Sequence, residues 1–537
     1  MINALFKDTL RFWQVAFWLL VPAYALMYAP FGINETDGGF LSGLAWQVLN
    51  GKMLYADVVY VRPPLPVWLR AVSMNLLPEQ YAVLGERWLF YMQIAAYVLL
   101  AADVLASGKS KWKLAALGFV VSVHHYPPTA WHTTDGILMA VLSVWFWHRN
   151  NGSASAVLSG LFMVAALLCK QSFYPFFILW TLFVSFEIDK KRVVAGWIGA
   201  LTTAGVFFVY LVAEGLLENY LALTAGAATG GQALQHGFID FLRVKPWLSA
   251  VSALLAIPLM RWLIVGKGAA TVQFTHAAWL LVLVGSFGWQ LHQVQDFTVP
   301  FSQSRLMFWL AIVYGLWTVV DIKRLSNWKR TWNDTKHYWV LLGISWCAAI
   351  SWGYNLPMLF AVPWVYAALK VGDRLYNKNL SEKLNVAMLV LLLGLFRYGY
   401  EFVYRDGFRS SLNRDMGDVF PRLNGIYSDT LTWERYSDLK ALAAQWPLFK
   451  TLPAFPQANW LTNTRPVFPL DWVVQREMNA RAPWVREQSA NTDRVYFIEK
   501  NWMERISTDP ELALTREIVE KGVRLEETQH FLVVKFE

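Results

Sequence analysis

Two carboxylates, Glu35 and Asp37, stand directly after the first apolar run of the chain, and Asp57 and Arg62 follow before the next run begins. Acids and a guanidinium placed where an apolar helix meets water are costly, and they point to a site at a membrane surface. The plainer alternative is structural, because Thr36 and Asp37 are good N-caps for a helix starting near Gly39. A second polar group is the stretch HHYPPTAWHTTDG at 124–136, with His124, His125, His132 and Asp135. These residues could in principle hold a metal, but their spacing matches no standard zinc pattern, and hydrogen bonding at a helix start is the commoner fate.

The elements that must position these groups are apolar. Of 537 residues, 56% are hydrophobic and only 16% charged, and many apolar runs are about 16 to 22 residues long, near the length a spanning helix needs. The fold expected is an all-α polytopic membrane domain over 1–400, followed by a soluble α/β or α+β domain over 401–537. Spans are expected at 12–31, 86–106, 112–127, 134–148, 154–169, 172–187, 193–213, 247–265, 273–291, 305–321, 337–352, 356–371 and 384–400, about thirteen crossings. The first has no small-residue cleavage site and reads as an uncleaved anchor. Up to residue 400 the chain holds 29 Lys+Arg against 18 Asp+Glu, and beyond it 18 against 20. The basic balance therefore belongs to the membrane part and reflects loop orientation; nucleic acid is not an expected partner.

With the N-terminus inside, the short loops together with Lys7 and Arg11 of the N-terminal segment collect 20 of those 29 basic residues, as the positive-inside rule requires. The long segments 32–85, 214–246 and 401–537 then face outward. The first carries an amphipathic stretch at 40–50, expected to lie along the membrane surface. Arg62-Pro63-Pro64 then forces an extended turn. In the tail, 437–445 and 510–521 read as helix, and 494–498 and 530–536 as strand. Cys169 and Cys347 fall in apolar segments, so no disulfide framework is expected. Neither the GAATGG stretch at 226–231 nor the triplet Asn34-Glu35-Thr36 carries a function: the first lacks strand and helix context, and the second is frequent by chance.

The outer loop as a whole resembles a known pattern. An acid after the first helix, about fourteen residues to Gly51, then Leu54-Tyr55-x-Asp57 and a Pro-Pro turn resemble the first outer loop of the GT-C membrane glycosyltransferases. Those families include aminoarabinose transferases, protein O-mannosyltransferases and bacterial enzymes that use polyprenyl-phosphate sugars. Asp37 matches the first acid of their usual Asp-Glu pair, and Gly38 replaces the second. The resemblance implies an inverting transfer of one sugar from a polyprenyl-phosphate donor to a glycan, lipid or protein acceptor, in a bacterial inner membrane with the tail in the periplasm. It implies Asp37 or Glu35 as base, and Lys170, Arg305 and Arg62 as candidate ligands of the donor phosphate. Asp57, Asp135, His132, Tyr55 and His292 are expected around the substrate, and Trp46, Trp68 and Trp131 could stack on a sugar. Such a reaction needs no cofactor, and no metal is predicted. Rival readings are a lipid-linked glycan ligase or polymerase and a membrane transporter, the last of which predicts inverted repeats and broken helices.

Overall fold

The computed structural model describes residues 9–123, 127–226, 311–312, 314–315, 328–350, 357–375, 378–401, 403 and 406–536. The expected spans at 247–265 and 273–291, nearly all of 305–321, and the candidate residues Arg305 and His292 lie outside them.

Within the described residues the first half is helical. Thr9–Tyr28 buries Trp13, Phe17, Val21, Tyr24 and Ala25, spaced as one helical face. That face packs on Gly108–Val123 and Ala82–Leu105. His132–Arg149, Ser153–Leu167, Tyr174–Ser185 and Lys190–Ala213 follow. Ser153–Leu167 and Lys190–Ala213 approach closely because Gly160 and Gly199 meet backbone: a Cβ on either would run into the main chain of Gly196 or Val157. Trp328–Ala349, Val362–Leu375 and Lys378–Glu401 complete the helical part. Among the described residues three helices are long and apolar enough to cross a membrane, Thr9–Tyr28, Glu79–Leu105 and Lys190–Ala213.

Two helices shape the segment 32–85. Phe40–Leu49 ends on Asn50 and Gly51; Gly51 takes φ +80°, and Gly51 N and Lys52 N donate back to Val48 O and Gln47 O at 3.0 and 3.1 Å. This double closure satisfies the last carbonyls and needs a residue without a Cβ at Gly51. The stretch is expected along the membrane surface, yet even its polar Ser42 and Gln47 are buried: Arg70 donates to Ser42 Oγ at 2.8 Å and Gln47 donates to Asp471 Oδ1 at 3.1 Å. The Pro-Pro turn leads directly into a further helix, Leu65–Leu76, with Pro64 as its N-cap residue.

The tail forms a mixed sheet of four strands, β3 (Phe449–Leu452), β4 (Val495–Glu499), β5 (Val523–Glu527) and β6 (Phe531–Lys535), in the order β3-β4-β6-β5. β3 and β4 run parallel and the other pairs antiparallel. β1 (Arg414–Asp415) and β2 (Tyr427–Ser428) form a separate small ladder. The strands expected at 494–498 and 530–536 are β4 and β6, and the helix expected at 437–445 begins earlier, at Thr430, where Asp429 caps it by accepting from Thr432 N. Central β4 is buried throughout because both of its faces are covered. Tyr496 and Ile498 face a core shared with Phe40, Leu44, Tyr55 and Tyr60 of the outer segment, while Val495 and Phe497 face Tyr436 and Leu439. Edge strand β5 is mostly exposed and carries Arg524, Glu526, Glu527 and a register shift, devices that discourage further pairing.

Candidate active site

The acidic loop is held by its own Asn34, whose Oδ1 accepts from Thr36 Oγ1 at 2.9 Å and from Asp37 N at 3.1 Å. The following helix has Gly39 as its N-cap residue, which offers no side chain for a cap bond. The two acids then part company. Glu35 is ion-paired with Arg435 of the tail; burial raises its pKa, opposed by the Arg435 charge. Asp37 is half-buried and close enough for its charge to act on Arg62.

Arg62 leaves the Pro-Pro turn toward the tail. Its Nη1 and Nη2 donate to Glu477 Oε2 and Oε1 at 2.9 and 2.7 Å, with side chains only 9% and 6% exposed. Its guanidinium carbon lies 5.2 Å from the Phe40 ring centre and 5.9 Å from that of Trp472. Burial lowers its pKa, but the charge and hydrogen bonds of Glu477 outweigh that and the net shift is upward, so Arg62 is a permanent cation.

Lys170 sits between Ser153–Leu167 and Tyr174–Ser185, buried, with Nζ donating to Thr133 Oγ1 at 3.0 Å. Burial, and then the Arg62 charge, push its pKa well below the ordinary lysine range. The neighbouring backbone locks this corner to the outer loop, since Gln171 Nε2 donates to Val61 O at 2.6 Å and Leu65 N to Leu168 O at 3.1 Å. His132 joins from the next helix, its Nε2 hydrogen-bonded to Tyr60 Oη at 2.7 Å. Its Nδ1 is buried and has no hydrogen-bond partner among the described residues.

Other expected residues take supporting places. Asp57 is exposed and closes its own turn by accepting from Met53 N at 2.9 Å. The guanidinium of Arg62, close by in sequence, is engaged by both oxygens of Glu477, a carboxylate reached across the fold. Tyr55 adopts φ +71°, rare for a bulky residue. It is held there by its hydroxyl, which donates to Arg62 O at 2.7 Å, and by full burial. Asp135 accepts from Gln93 Nε2 at 2.7 Å in the first turn of its helix. Arg70 pairs with Glu86, and Arg87 donates to the carbonyls of Ala29 and Gly32 at 2.6 Å and of Phe31 at 3.2 Å, where the first helix ends. Trp131 packs against Phe40, His132 and Trp472, and Trp46 donates to Thr464 O at 2.9 Å. Trp68 meets Phe207 and Tyr210 edge-on.

His124 and His125 fall outside the described residues, and among the described ones no three His, Cys, Asp or Glu side chains group to hold a metal. A cavity of about 60 Å³ opens beside the acidic loop, lined by Asn34, Gly38, Glu86, Arg87, Thr129 and Gln457 among others.

Sequence reasoning missed the residues of the tail. Glu477, Trp472, Asp471 and Arg435 all reach the outer loop: Trp472 lies 4.1 Å from the Phe40 ring and donates to Thr36 O at 3.1 Å. Asp471 accepts from Lys450 at 3.3 Å as well as from Gln47. The available signal was an acid beside a tryptophan in an apolar setting, PLDWVV at 469–474, which marks burial without naming a partner.

No family model and no curated protein matches the chain. Among solved structures, ArnT from Cupriavidus metallidurans in the apo state is similar at 14% identity, over 97% of each chain, with a TM-score of 0.41.

Proposed function

We propose that this chain is a GT-C-type membrane glycosyltransferase that moves one sugar from a polyprenyl-phosphate donor to an acceptor hydroxyl on the outer face of a bacterial inner membrane. The observation that carries the reading is that Arg62 lies within charge range of both Asp37 and Lys170, beside a loop whose motifs resemble that family. Asp37 takes the proton of the acceptor hydroxyl, the oxygen attacks the anomeric carbon from the face opposite the phosphate, and the bond from that carbon to the phosphate oxygen breaks. Configuration inverts, and the phosphate leaves with the electron pair. Arg62 supplies a planar fork for the leaving phosphate. Lys170, whose pKa burial lowers, adds a second positive charge beside Arg62 for the dianion that forms as the phosphate departs. Glu35 is the weaker base because Arg435 already holds it. Tyr60 and His132 flank the fork, and the Nδ1 of His132 is available for a sugar hydroxyl. The transfer so written calls on no cofactor.

The test is turnover of radiolabelled polyprenyl-phosphate sugars by the protein in lipid nanodiscs. Asp37→Asn should lower the rate about 10²- to 10⁴-fold. Transfer that persists in a variant carrying both Asp37→Asn and Glu35→Gln removes the base. Absence of any binding of polyprenyl phosphate by the native protein removes the whole reading.

A further inference from the structure

Arg62 presents the edge of its guanidinium to Glu477, and the two parallel bonds, 2.9 and 2.7 Å long, make this a fork-on-fork pair. A phosphate monoester satisfies the same edge in the same way, and one edge holds only one such anion. We propose that Glu477 occupies on Arg62 the place of the departing lipid phosphate, so that the monoester released by transfer exchanges with the carboxylate and frees the 472–481 segment from the loop at 32–85. The inference rests on Arg62 being the phosphate ligand proposed above.

The surroundings fit an exchangeable pair better than a permanent one. The pair is nearly dry, so the desolvation of two charges offsets much of its attraction, and an anion of greater charge on the same edge can compete. Lys170 lies near enough to Arg62 to feel its charge; a phosphate dianion answers both cations, whereas the single carboxylate of Glu477 serves one. The segment that must yield is short. Glu477 lies on Gln475–Met478, one helical turn that ends at Asn479 with φ +45°. Beyond it the outer contacts are Asn479 to Leu223 O at 3.1 Å and Arg481 to Tyr55 O and Ala56 O at 2.8 and 3.2 Å. Trp472, stacked near Phe40 and within cation–π range of Arg62, would lose its charged neighbour as Arg62 turns to the phosphate. No bond is made or broken and no proton need move at Glu477.

The experiment uses full-length protein in nanodiscs titrated with polyprenyl monophosphate. Glu477→Gln, which keeps the shape and weakens the competitor, should bind the lipid phosphate about tenfold tighter than the native protein. In the native protein, hydrogen exchange of 472–481 should quicken when the lipid phosphate is added, a measurement that requires no substitution. A native protein that binds while Glu477→Gln binds equally or more weakly overturns the inference alone, as does exchange of 472–481 that is unchanged or slowed on binding. If the native protein does not bind the lipid phosphate, the inference and the proposed function both fall.

Discussion

The contact of Lys450, Asp471 and Gln47 should decide whether the tail stays joined to the outer loop, and Asp471→Ala tests it. Asp471 Oδ1 lies 3.3 Å from Lys450 Nζ and 3.1 Å from Gln47 Nε2, with the two charged side chains 3% and 5% exposed. Burial lowers the Lys450 pKa and raises that of Asp471, and each charge opposes the shift in the other. Removing the carboxylate strands an ammonium in a dry site, which costs about 3–5 kcal/mol, and leaves the Gln47 amide without its acceptor. Lys450 can limit the loss by giving up its proton, so about 3 kcal/mol is expected at pH 7. For a cooperative unit of about 150–250 residues that is a fall of roughly 6–12 °C in unfolding temperature. The loss should shrink as pH rises toward the ordinary lysine range, because the unfolded chain then binds more protons than the folded one and stability climbs with pH. Differential scanning fluorimetry of the protein in detergent, from pH 7 to 10, reads both effects. The combined replacement Lys450→Met with Asp471→Leu should recover most of the stability, since two apolar groups of similar size need no partner. A fall below about 2 °C for Asp471→Ala, or a double variant as unstable as the single one, refutes the reasoning.

Further predictions concern the same seam. Gly43→Ala puts a Cβ 2.8 Å from the Pro456 carbonyl carbon and 3.0 Å from Asp471 Oδ2; a loss of about 1–3 kcal/mol is expected, seen as faster proteolysis of the tail. Glu499, buried beside Arg435 and Glu35, has its pKa pushed up to about 8, with burial the main cause. A raised carboxyl pKa favours the folded state at low pH, so stability should fall by about 1.4 kcal/mol per pH unit between pH 6 and 7.5; Glu499→Gln should flatten that slope in thermal unfolding. Arg62→Lys keeps a positive charge but loses the fork, and should weaken polyprenyl phosphate binding about tenfold or more in a direct titration.

The seam also shows where sequence reading stopped. The helical stretches were legible because long apolar runs have few other uses, and β4 and β6 because short apolar segments bounded by polar turns read as strands. The stretch at 40–50 was right as a helix and wrong in its setting. Its polar side chains looked solvent-facing, but Arg70 and Asp471 supply partners that no periodicity encodes. Asp37, Arg62 and Lys170 could be singled out because charged groups beside apolar runs are expensive. Glu35 shared that signal, yet its Arg435 partner lies 400 residues away.

By itself, then, the sequence determined the helical elements, the change of character near residue 400 and the loop after the first helix as a place where charge gathers, since hydrophobic length and local charge are properties of neighbouring residues. The tertiary structure decided that Glu35 pairs with Arg435 while Asp37 lies within charge range of Arg62, and it brought Glu477 and Trp472 onto a loop more than 400 residues before them. Ion pairs and ring contacts act through space over a few ångströms, and only the folded chain fixes which groups come that close.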